Sequence, residues 1–552
     1  MDYTPSITVD SIKWERVILN IAGKINNIDP SAITFSITSG DVTVPLKCVK
    51  IIGEYYLIRL NVTTANNGCT FFGNGDWTIV AHDEITGASY SLKTSDSLFS
   101  DDEIEDEYVY CKDKQTKIGR FYKLFAKSAV NFYEVKPSVD DKDKFFISIY
   151  SEHPNKKNPV VKFLKGFVNL FKPMFYAIKK GLFYVTFNIS NMFPHSGKVI
   201  LFTSDSRAEL SGNMELVYNR MCERGLDRQF NIKMMFRASV KTSRSFLDKF
   251  KMPFVLGRAD IIIVDDYNPT IELVNYRPSV KIIQLWHACG AFKTVGFSRL
   301  GKSGGPAITS TIHKHYTHAI ASSSHVAKFY AEAFGIDESR VYPTGVPRTD
   351  IFFDESYKNE IKSKMFEIFP TAKGKRVILF APTFRGNGAK SANYPFGKIN
   401  MHALGHYCLE TDSVVIFKMH PFVTTPLFIP DEYKDVMIDA TENREINDIL
   451  FITDLLITDY SSVIYEASAL NIPMLFYAFD LEQYISTRDF YEPFESFVPG
   501  KIVKNFGELM KAIETGDYEH EKVALFRDKN FEYQDGHSTD RVVDWLILGT
   551  KE

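Results

Sequence analysis

From Lys198 to the end of the chain, short uninterrupted apolar runs alternate with stretches of helical spacing. A first series comprises "KVILFTSD", "FNIKMMF", "ADIIIVDD", "KIIQLWH", "THAIASSS" and "RVYPTGVP", and a second comprises "RVILFAPTF", "SVVIFKMHPF", "DVMIDA", "DLLITDYSS" and "IPMLFYAFD". Such alternation is typical of parallel sheets that are covered by helices on both faces. The pattern predicts an α/β fold with two Rossmann-like domains, at residues 198–370 and 371–552. Ligands of such sheets bind beyond the carboxyl ends of the strands, so we expect the site in a cleft between the domains.

The first 150 residues follow a different pattern. Apolar and polar residues alternate in runs such as "YYLIRLNVTT" and "DWTIVAHDEITGASYSL", and Gly, Asn and Asp turns separate the runs. Short strands at this spacing predict a small β-sandwich at residues 1–150. No catalytic set of residues is visible in this part of the chain, so we interpret it as an accessory or docking domain.

Residues 151–197 are basic and aromatic, and no acidic residue falls between Glu152 and Asp205. Phe, Leu and Met residues recur there at helical spacing, with Pro173 expected to break the helix. The lysines are Lys156, Lys157, Lys162, Lys165, Lys172, Lys179 and Lys180. A basic helix with an aromatic face is typical of a segment that lies on an anionic membrane surface. A linker helix packed on the catalytic core, with its lysines in solvent, explains the same pattern.

The composition excludes several classes of protein. A net charge of −3 gives no sign of a nucleic-acid partner. The six cysteines contain no CxxC pair, which argues against a zinc site or a disulfide framework and fits a reducing compartment. The amino terminus, "MDYTPSITVD", lacks the pattern of a signal peptide. Because no uninterrupted apolar run reaches the ~18 residues of a membrane-spanning helix, we expect none.

Many of the predicted strands end in groups that suit a phosphate. Arg and Lys supply positive charge, while hydroxyls and helix-start amides supply neutral donors. Ser461 and Ser462, where a strand turns into a helix, could cap that helix and hold an anion. The first domain contributes His287, Lys293, Ser322, Ser323, Gly345, Arg348 and Asp350, and the second contributes Thr383, Arg385, Gly386, Lys418, His420, Asp459, Ser461, Ser462 and Glu466. Taken together, these residues predict a cleft that binds a diphosphate.

Several of these segments resemble one known family. "LWHACGAFK", "TGVPRTDIFF", "ILFAPTFRG", "FKMHP" and "DLLITDYSSVIYEASALNIPMLFY" occur in the order found in the CDP-glycerol glycerophosphotransferases, which make teichoic acids and some capsules. The resemblance runs from about Lys198 to near the carboxyl terminus. It departs from the family at Ala288 and Cys289, because the family histidine is commonly followed directly by glycine. No family motif is visible in the first 150 residues.

The resemblance implies a GT-B fold with the acceptor bound to the first Rossmann-like domain and the donor to the second. It implies transfer of glycerol phosphate or ribitol phosphate from a CDP-polyol to a lipid-linked polyol-phosphate chain, with release of CMP. It also implies a peripheral protein at the cytoplasmic face of the membrane. The residues fix neither the polyol nor the oligomeric state nor the product, teichoic acid or capsule. The accessory β-domain favours a polymerase over a primase.

A mechanism follows from the residue types. A base must take the proton of the attacking hydroxyl, and neutral histidine suits that role near neutral pH, so His287 is the candidate base. The alternative for His287 is a buried structural histidine. Charge that builds on the phosphate and on CMP calls for cations and hydrogen-bond donors, for which Lys418, His420 and Arg385 with Ser461 and Ser462 are candidates. Since no DxD-type carboxylate pair stands at a strand end of the second domain, we expect no obligatory metal and no cofactor.

Two other functions fit parts of the pattern. A GT-B glycosyltransferase that uses a sugar nucleotide has the same architecture, and it would release a nucleoside diphosphate instead of CMP. A non-catalytic assembly protein at the membrane could retain the fold, but it would have no reason to keep the polar strand ends.

Overall fold

The computed structural model describes residues 4–46, 49–63, 72–94, 120–123, 132–140, 143–151, 171–240, 242, 244–302, 305–386, 391–443, 445–487 and 489–550. Lys156, Lys157, Lys162 and Lys165 of the basic segment lie outside these residues. For Lys172 and Lys179 the structure describes the backbone and not the side chain.

The amino-terminal part forms two mostly antiparallel sheets around one core. The strands are β1 Ser6–Glu15, β2 Ile18–Asn26, β3 Ile33–Ser39, β4 Val42–Pro45, β5 Val49–Ile52, β6 Tyr55–Asn61, β7 Gly75–Asp83, β8 Ser89–Ser91, β9 Lys93–Thr94, β10 Arg120–Lys123, β11 Phe132–Val139 and β12 Phe145–Ser151. One sheet has the order β5-β6-β2-β1-β9, and the other has the order β10-β11-β12-β7-β3-β4, with β8 beside β7. Alternate residues such as Ile21 and Ile79 point into the shared core, which is what the period-two pattern requires.

The first α/β unit contains a six-stranded parallel sheet in the order β14-β13-β15-β16-β17-β18. Its strands are β13 Val199–Ser204, β14 Asn231–Phe236, β15 Ile261–Val264, β16 Lys281–Gln284, β17 His318–Ile320 and β18 Val341–Tyr342. Its helices are α1 Phe171–Asn191, α2 Asn213–Glu223, α3 Phe246–Arg258 and α4 Ser324–Phe334. The central strands are buried on both faces, which explains their uninterrupted apolar runs.

The second α/β unit contains another six-stranded parallel sheet, in the order β21-β20-β19-β22-β23-β24. Its strands are β19 Arg376–Phe380, β20 Ser413–Phe417, β21 Met437–Asp439, β22 Leu455–Thr458, β23 Met474–Tyr477 and β24 Lys501–Val503. Helix α5 Glu355–Ile368 precedes β19 and packs in the core of this unit. The helices that follow β19 are α6 Met401–Glu410, α7 Ile446–Leu450, α8 Ile464–Ala469, α9 Leu481–Thr487, α10 Phe494–Phe497, α11 Phe506–Thr515 and α12 Glu521–Asn530, and the last one in the chain is α13 Ser538–Arg541.

The carboxyl-terminal segment returns to the first α/β unit. A π-helix at Val542–Leu548 follows α13, and its residues Val542 and Leu546 pack in one core with Ile200 and Phe202 of β13. The sequence assigned all of residues 371–552 to the second domain. The packing instead joins residues 538–548 to the first unit, because their apolar side chains complete its core.

Helix α1 packs along α3, with Phe187 buried in the core of the first unit. Pro173 lies in the first turn of this helix, where a missing backbone N–H costs little, and the helix continues unbroken to Asn191. Among the residues that the structure describes, no helix has both the length and the apolar character needed to span a membrane.

Candidate active site

His287 follows β16 at the carboxyl edge of the first parallel sheet. Its side chain is exposed, and among the described residues no group hydrogen-bonds the imidazole, so it is not a buried structural histidine. The backbone around it is held firmly. Buried Asn213 donates to the carbonyls of Leu285 at 2.7 Å and Trp286 at 2.8 Å, and Arg348 Nη1 donates to the carbonyl of His287 at 3.0 Å. The imidazole is thereby presented on a fixed loop and remains open to a ligand.

The loop that carries His287 is seated on the second α/β unit. A side chain at Gly290 would lie 2.0 Å from the ring of Tyr465 in α8, so only glycine fits this close approach. The Cys289 thiol donates to Glu466 Oε1 at 3.2 Å, and burial together with the Glu466 carboxylate raises the pKa of this thiol. The Ala288–Cys289 departure from the family pattern therefore forms a packed contact between the units.

A short antiparallel pairing joins the two units just beyond this loop. The Tyr491 amide donates to the Phe292 carbonyl at 3.0 Å, and the Thr294 amide donates to the Asp489 carbonyl at 3.0 Å. We call residues 292–294 and 489–491 the junction. Lys293, at its centre, lies 5.5 Å from the centre of the Tyr484 ring and lines the cavity described below.

His420 follows β20 and faces the same region as Lys293. Its Nδ1 accepts the amide of Phe422 at 3.1 Å, so the neutral ring carries its proton on Nε2. The rings of Phe384 and Phe422 contact it, at centroid distances of 4.6 and 4.7 Å. Burial, and then the charges of Lys293 and Lys418, lower the pKa of His420. The side chain is thus arranged as a neutral hydrogen-bond donor.

Lys418 is almost completely buried, and its Nζ donates to the Thr441 carbonyl at 3.1 Å. Burial lowers its pKa from the usual value for lysine. Its positive charge contributes to the field around His420, but the ammonium group itself is directed to the protein backbone.

Arg385 is held by two carboxylates. Its Nη1 donates to Asp459 Oδ2 at 2.8 Å, its Nε donates to Asp480 Oδ2 at 2.6 Å, and its Nη2 donates to Asp480 Oδ1 at 2.9 Å. Asp459, which is 1% exposed, also accepts the amides of Thr383 at 2.7 Å and Tyr460 at 2.5 Å. The sequence pattern suggested that Arg385 and Asp459 bind the donor. The contacts indicate that they hold the loops after β19, β22 and β23 together.

Ser461 and Ser462 do not cap α8, as the sequence suggested. The helix begins at Ile464 and its N-cap residue is Val463, whose amide is 3.4 Å from Ser461 Oγ. Ser462 is exposed and Ser461 is partly exposed. Glu466 is buried, contacts Cys289 and lies 3.9 Å from Arg348 Nη2, which makes it part of the contact between the units.

Four residues assigned from the sequence to the acceptor side contact the last part of the chain, beyond residue 528. Ser322 and Ser323 are buried, with the Ser322 carbonyl accepting the amide of Glu532 at 2.9 Å. Asp350 accepts the amides of Ser538 and Thr539 at 2.9 and 2.8 Å. The fourth residue is Gly345, which has a φ of +80° and where a side chain would lie 2.2 Å from Ser538 Oγ. These contacts indicate a structural role, which sequence cannot separate from ligand binding because both place polar groups at strand ends.

A cavity of 850 Å³ opens between Lys293 of the first unit and the loops after β19 and β23. Three lysines line it, Lys293, Lys398 and Lys504, together with the carboxylates Glu482 and Glu495. Thr383, Phe384, Arg385, Gly386, Phe479, Asp480 and Tyr484 complete most of the wall. Cations, carboxylates and aromatic rings in one cavity suit a ligand that has phosphates, hydroxyls and a planar base.

Comparison with known proteins gives the family. The profile of the CDP-Glycerol:Poly(glycerophosphate) glycerophosphotransferases matches residues 185–548. The chain belongs to this family. As a member of this glycerophosphotransferase family it is a polyol-phosphate transferase.

Several relatives in the glycerophosphotransferase family align over most of the chain. The teichoic acid ribitol-phosphate polymerase TarL of Staphylococcus aureus (strain NCTC 8325 / PS 47) is 44% identical over 97% of this chain and 98% of its own. TarK of the same strain, also a teichoic acid ribitol-phosphate polymerase, is 46% identical over 90% of this chain and 100% of its own. The wall teichoic acid polymerase TagF, a solved structure, is 20% identical and superposes with a TM-score of 0.54 over 71% of this chain and 98% of its own, which shows a shared fold.

Sequence reasoning missed two residues of this candidate site. Asp480 ends the run "IPMLFYAFD", which was identified as a strand, so its position was visible in the pattern. Asn213 begins α2 after β13 and fixes the His287 loop through backbone carbonyls. No motif reveals that contact, because its partners lie far along the chain. Among the described residues, no group of three or more His, Cys, Asp or Glu side chains is placed to hold a metal ion.

Proposed function

We propose that this protein transfers ribitol phosphate from CDP-ribitol to the terminal hydroxyl of a poly(ribitol phosphate) chain and releases CMP. The observation that carries the proposal is the open imidazole of His287, presented by one α/β unit on a loop that is seated on the other. Family membership supports the reaction class, and the names of the two Staphylococcus aureus relatives support ribitol. Both of those relatives are polymerases that align along nearly the whole chain, which supports a polymerase.

The two α/β units form a GT-B arrangement in this proposal, with the donor in the 850 Å³ cavity. Lys293, Lys398 and Lys504 bind the diphosphate, because three ammonium groups can offset its charge. Phe384 and Phe479 offer flat apolar surfaces for the cytosine ring. The carboxylates that line the cavity accept hydrogen bonds from ribose or ribitol hydroxyls.

The transfer step uses two histidines in different roles. His287 takes the proton of the acceptor hydroxyl while the hydroxyl oxygen forms a bond to the phosphorus that bears ribitol. The bond from that phosphorus to the bridging oxygen breaks, and CMP leaves with the electron pair. His420 donates its Nε2–H to a phosphoryl oxygen, where negative charge develops in the transition state. Lys293 and Lys418 add positive charge near this group, and Arg348 fixes the backbone of His287.

Association with a membrane is part of the proposal, since a lipid-linked acceptor requires it. Helices α1 and α3 pack together and still expose apolar side chains, which in this proposal form one lipid-contacting surface that we call the apolar face. Its members are Leu182, Val185, Ile189, Phe246, Leu247 and Phe250. Lys180, Lys249 and Lys251 are exposed on the same two helices. Apolar groups beside lysines suit an anionic lipid surface at the cytoplasmic face of the membrane.

The decisive experiment supplies CDP-ribitol, CDP-glycerol or a sugar nucleotide to the purified protein with a short polyol-phosphate acceptor. We expect CMP release and acceptor growth with CDP-ribitol, and slower growth with CDP-glycerol. Release of a nucleoside diphosphate from a sugar nucleotide would identify a glycosyltransferase instead. No release from any donor, by a protein that is folded by circular dichroism, would contradict the proposal.

A further inference from the structure

Arg16 occupies a strained position at the tip of the amino-terminal β-domain. It belongs to the two-residue turn between β1 and β2, and its φ is +56°, a value that residues other than glycine rarely adopt. The tip points at the first α/β unit, and the Arg16 side chain is only 14% exposed. Backbone strain of this kind persists only where surrounding contacts hold it, and it is frequent at functional positions.

The contacts of Arg16 reach into the first α/β unit. Its Nε and Nη2 donate to the two carboxylate oxygens of Glu332 at 2.6 and 2.8 Å, and the Glu332 side chain, in α4, is 1% exposed. The guanidinium lies 5.6 Å from the ring centre of Phe329 and 5.2 Å from that of Tyr491. A forked ion pair enclosed by aromatic rings fixes the direction of the arginine.

The same side chain also contacts the second half of the chain. Arg16 Nη1 donates to the carbonyl of Tyr491 at 3.2 Å, and the amide of Tyr491 pairs with Phe292 in the junction. The junction carries Lys293 to the donor cavity, and it continues directly from the His287 loop. Arg16 of the β-domain therefore contacts both Glu332 of the first α/β unit and Tyr491 of the junction, where the two α/β units meet.

We propose that Arg16 is a positioning residue and that the β-domain braces the junction through it. In this role the accessory domain holds the His287 loop and Lys293 in register with the donor side. A second contact, from Lys314 Nζ to the Thr63 carbonyl at 2.7 Å, keeps the β-domain docked without Arg16. Removal of Arg16 is therefore expected to loosen the junction and leave the domain attached. The kinetic part of this inference rests on the proposed function, and the structural part does not.

The test uses the full chain with three variants. Arg16→Met alone would leave the buried Glu332 carboxylate without its partner, so Arg16→Met/Glu332→Met is the main variant, because it removes both charges together. Arg16→Lys keeps the charge and loses the fork. Lys24→Met is the control, since Lys24 lies on β2 of the same domain and is 40% exposed, and its contacts with Glu54 at 4.0 Å and with the ring of Tyr55 lie within the β-domain.

Two measurements separate positioning from simple destabilisation. Hydrogen exchange of the backbone amides in 289–294 and 489–491 should become at least about tenfold faster in the double variant, with β1 to β6 unchanged. The kcat for CMP release from CDP-ribitol should fall by about 10- to 100-fold, since small misplacements of reacting groups are costly, and the donor KM should rise, because Lys293 binds the diphosphate in the proposed function. Arg16→Lys should recover part of the kcat, and the control should match the wild type in both measurements.

Unchanged exchange in the junction would overturn the inference, and so would faster exchange throughout the β-domain, which would mean detachment. An unchanged kcat in the double variant would also overturn it. If the wild type released no CMP from CDP-ribitol, the proposed function would fail by that result, and the exchange measurement alone would decide whether Arg16 braces the junction.

Discussion

Substituting Arg385 with lysine separates a structural role from donor binding. The arginine makes three hydrogen bonds to the carboxylates of Asp459 and Asp480. A lysine keeps the charge, but its compact ammonium group cannot reproduce the planar fork that reaches both carboxylates, so we expect about two of these bonds to be lost. Each lost bond to a charged group is worth about 1.5–3 kcal/mol, so loss of two lowers the free energy of unfolding by about 3–6 kcal/mol. The three side chains are at most 15% exposed, so water compensates little of this loss.

Differential scanning calorimetry measures the effect on the second α/β unit. For a unit of this size each kcal/mol shifts the melting temperature by about 2–4 °C, so we expect Arg385→Lys to melt about 6–24 °C lower. The matched control is Arg376→Lys, because Arg376 in β19 donates to the neutral hydroxyls of Tyr407 and Tyr518. Loss of these bonds leaves neutral hydroxyls and no unpaired buried carboxylate, so the control should lose less stability than Arg385→Lys. A normal melting temperature with a raised KM for CDP-ribitol in Arg385→Lys would refute the structural role and restore Arg385 as a donor ligand.

Three further outcomes are expected. His287→Ala should lower kcat by ~10²–10⁴-fold, because a general base is lost, and its melting temperature should stay near that of the wild type, because the side chain is exposed; more than a tenth of wild-type turnover would exclude the base role. The pKa of His420 lies below its usual value partly because of the positive charge of Lys293. Lys293→Met removes that charge, so it should raise the pKa of His420 in an imidazole NMR titration and move the acidic limb of the kcat profile to higher pH. An unchanged pKa would show that the two side chains do not interact. Leu247→Gln should weaken sedimentation with anionic vesicles, whereas Leu525→Gln, at a similarly exposed leucine outside the apolar face, should not; equal effects would place the membrane contact elsewhere.

The sequence alone determined the class of both α/β units and placed His287 at the edge of the first sheet. Strands buried on both faces of a parallel sheet must be apolar throughout, so runs such as "KVILFTSD" and "RVILFAPTF" predict parallel sheets without tertiary information. The sheets are parallel throughout, as predicted. The position of His287 after β16 followed from the same pattern, since a polar residue directly after such a run lies at the carboxyl edge of the sheet.

The tertiary structure alone decided what each polar strand end does. Arg385 and Lys418 both follow buried strands, yet one is held by Asp459 and Asp480 and the other by a backbone carbonyl. Asp350 binds a helix that begins at Ser538, far along the chain. Partners separated by this many residues meet only when both units and the returning carboxyl terminus pack together. The local sequence pattern can therefore place a polar or charged group at the edge of a sheet. Long-range packing determines whether that group is hydrogen-bonded within the protein or remains open to a ligand, as His287 does.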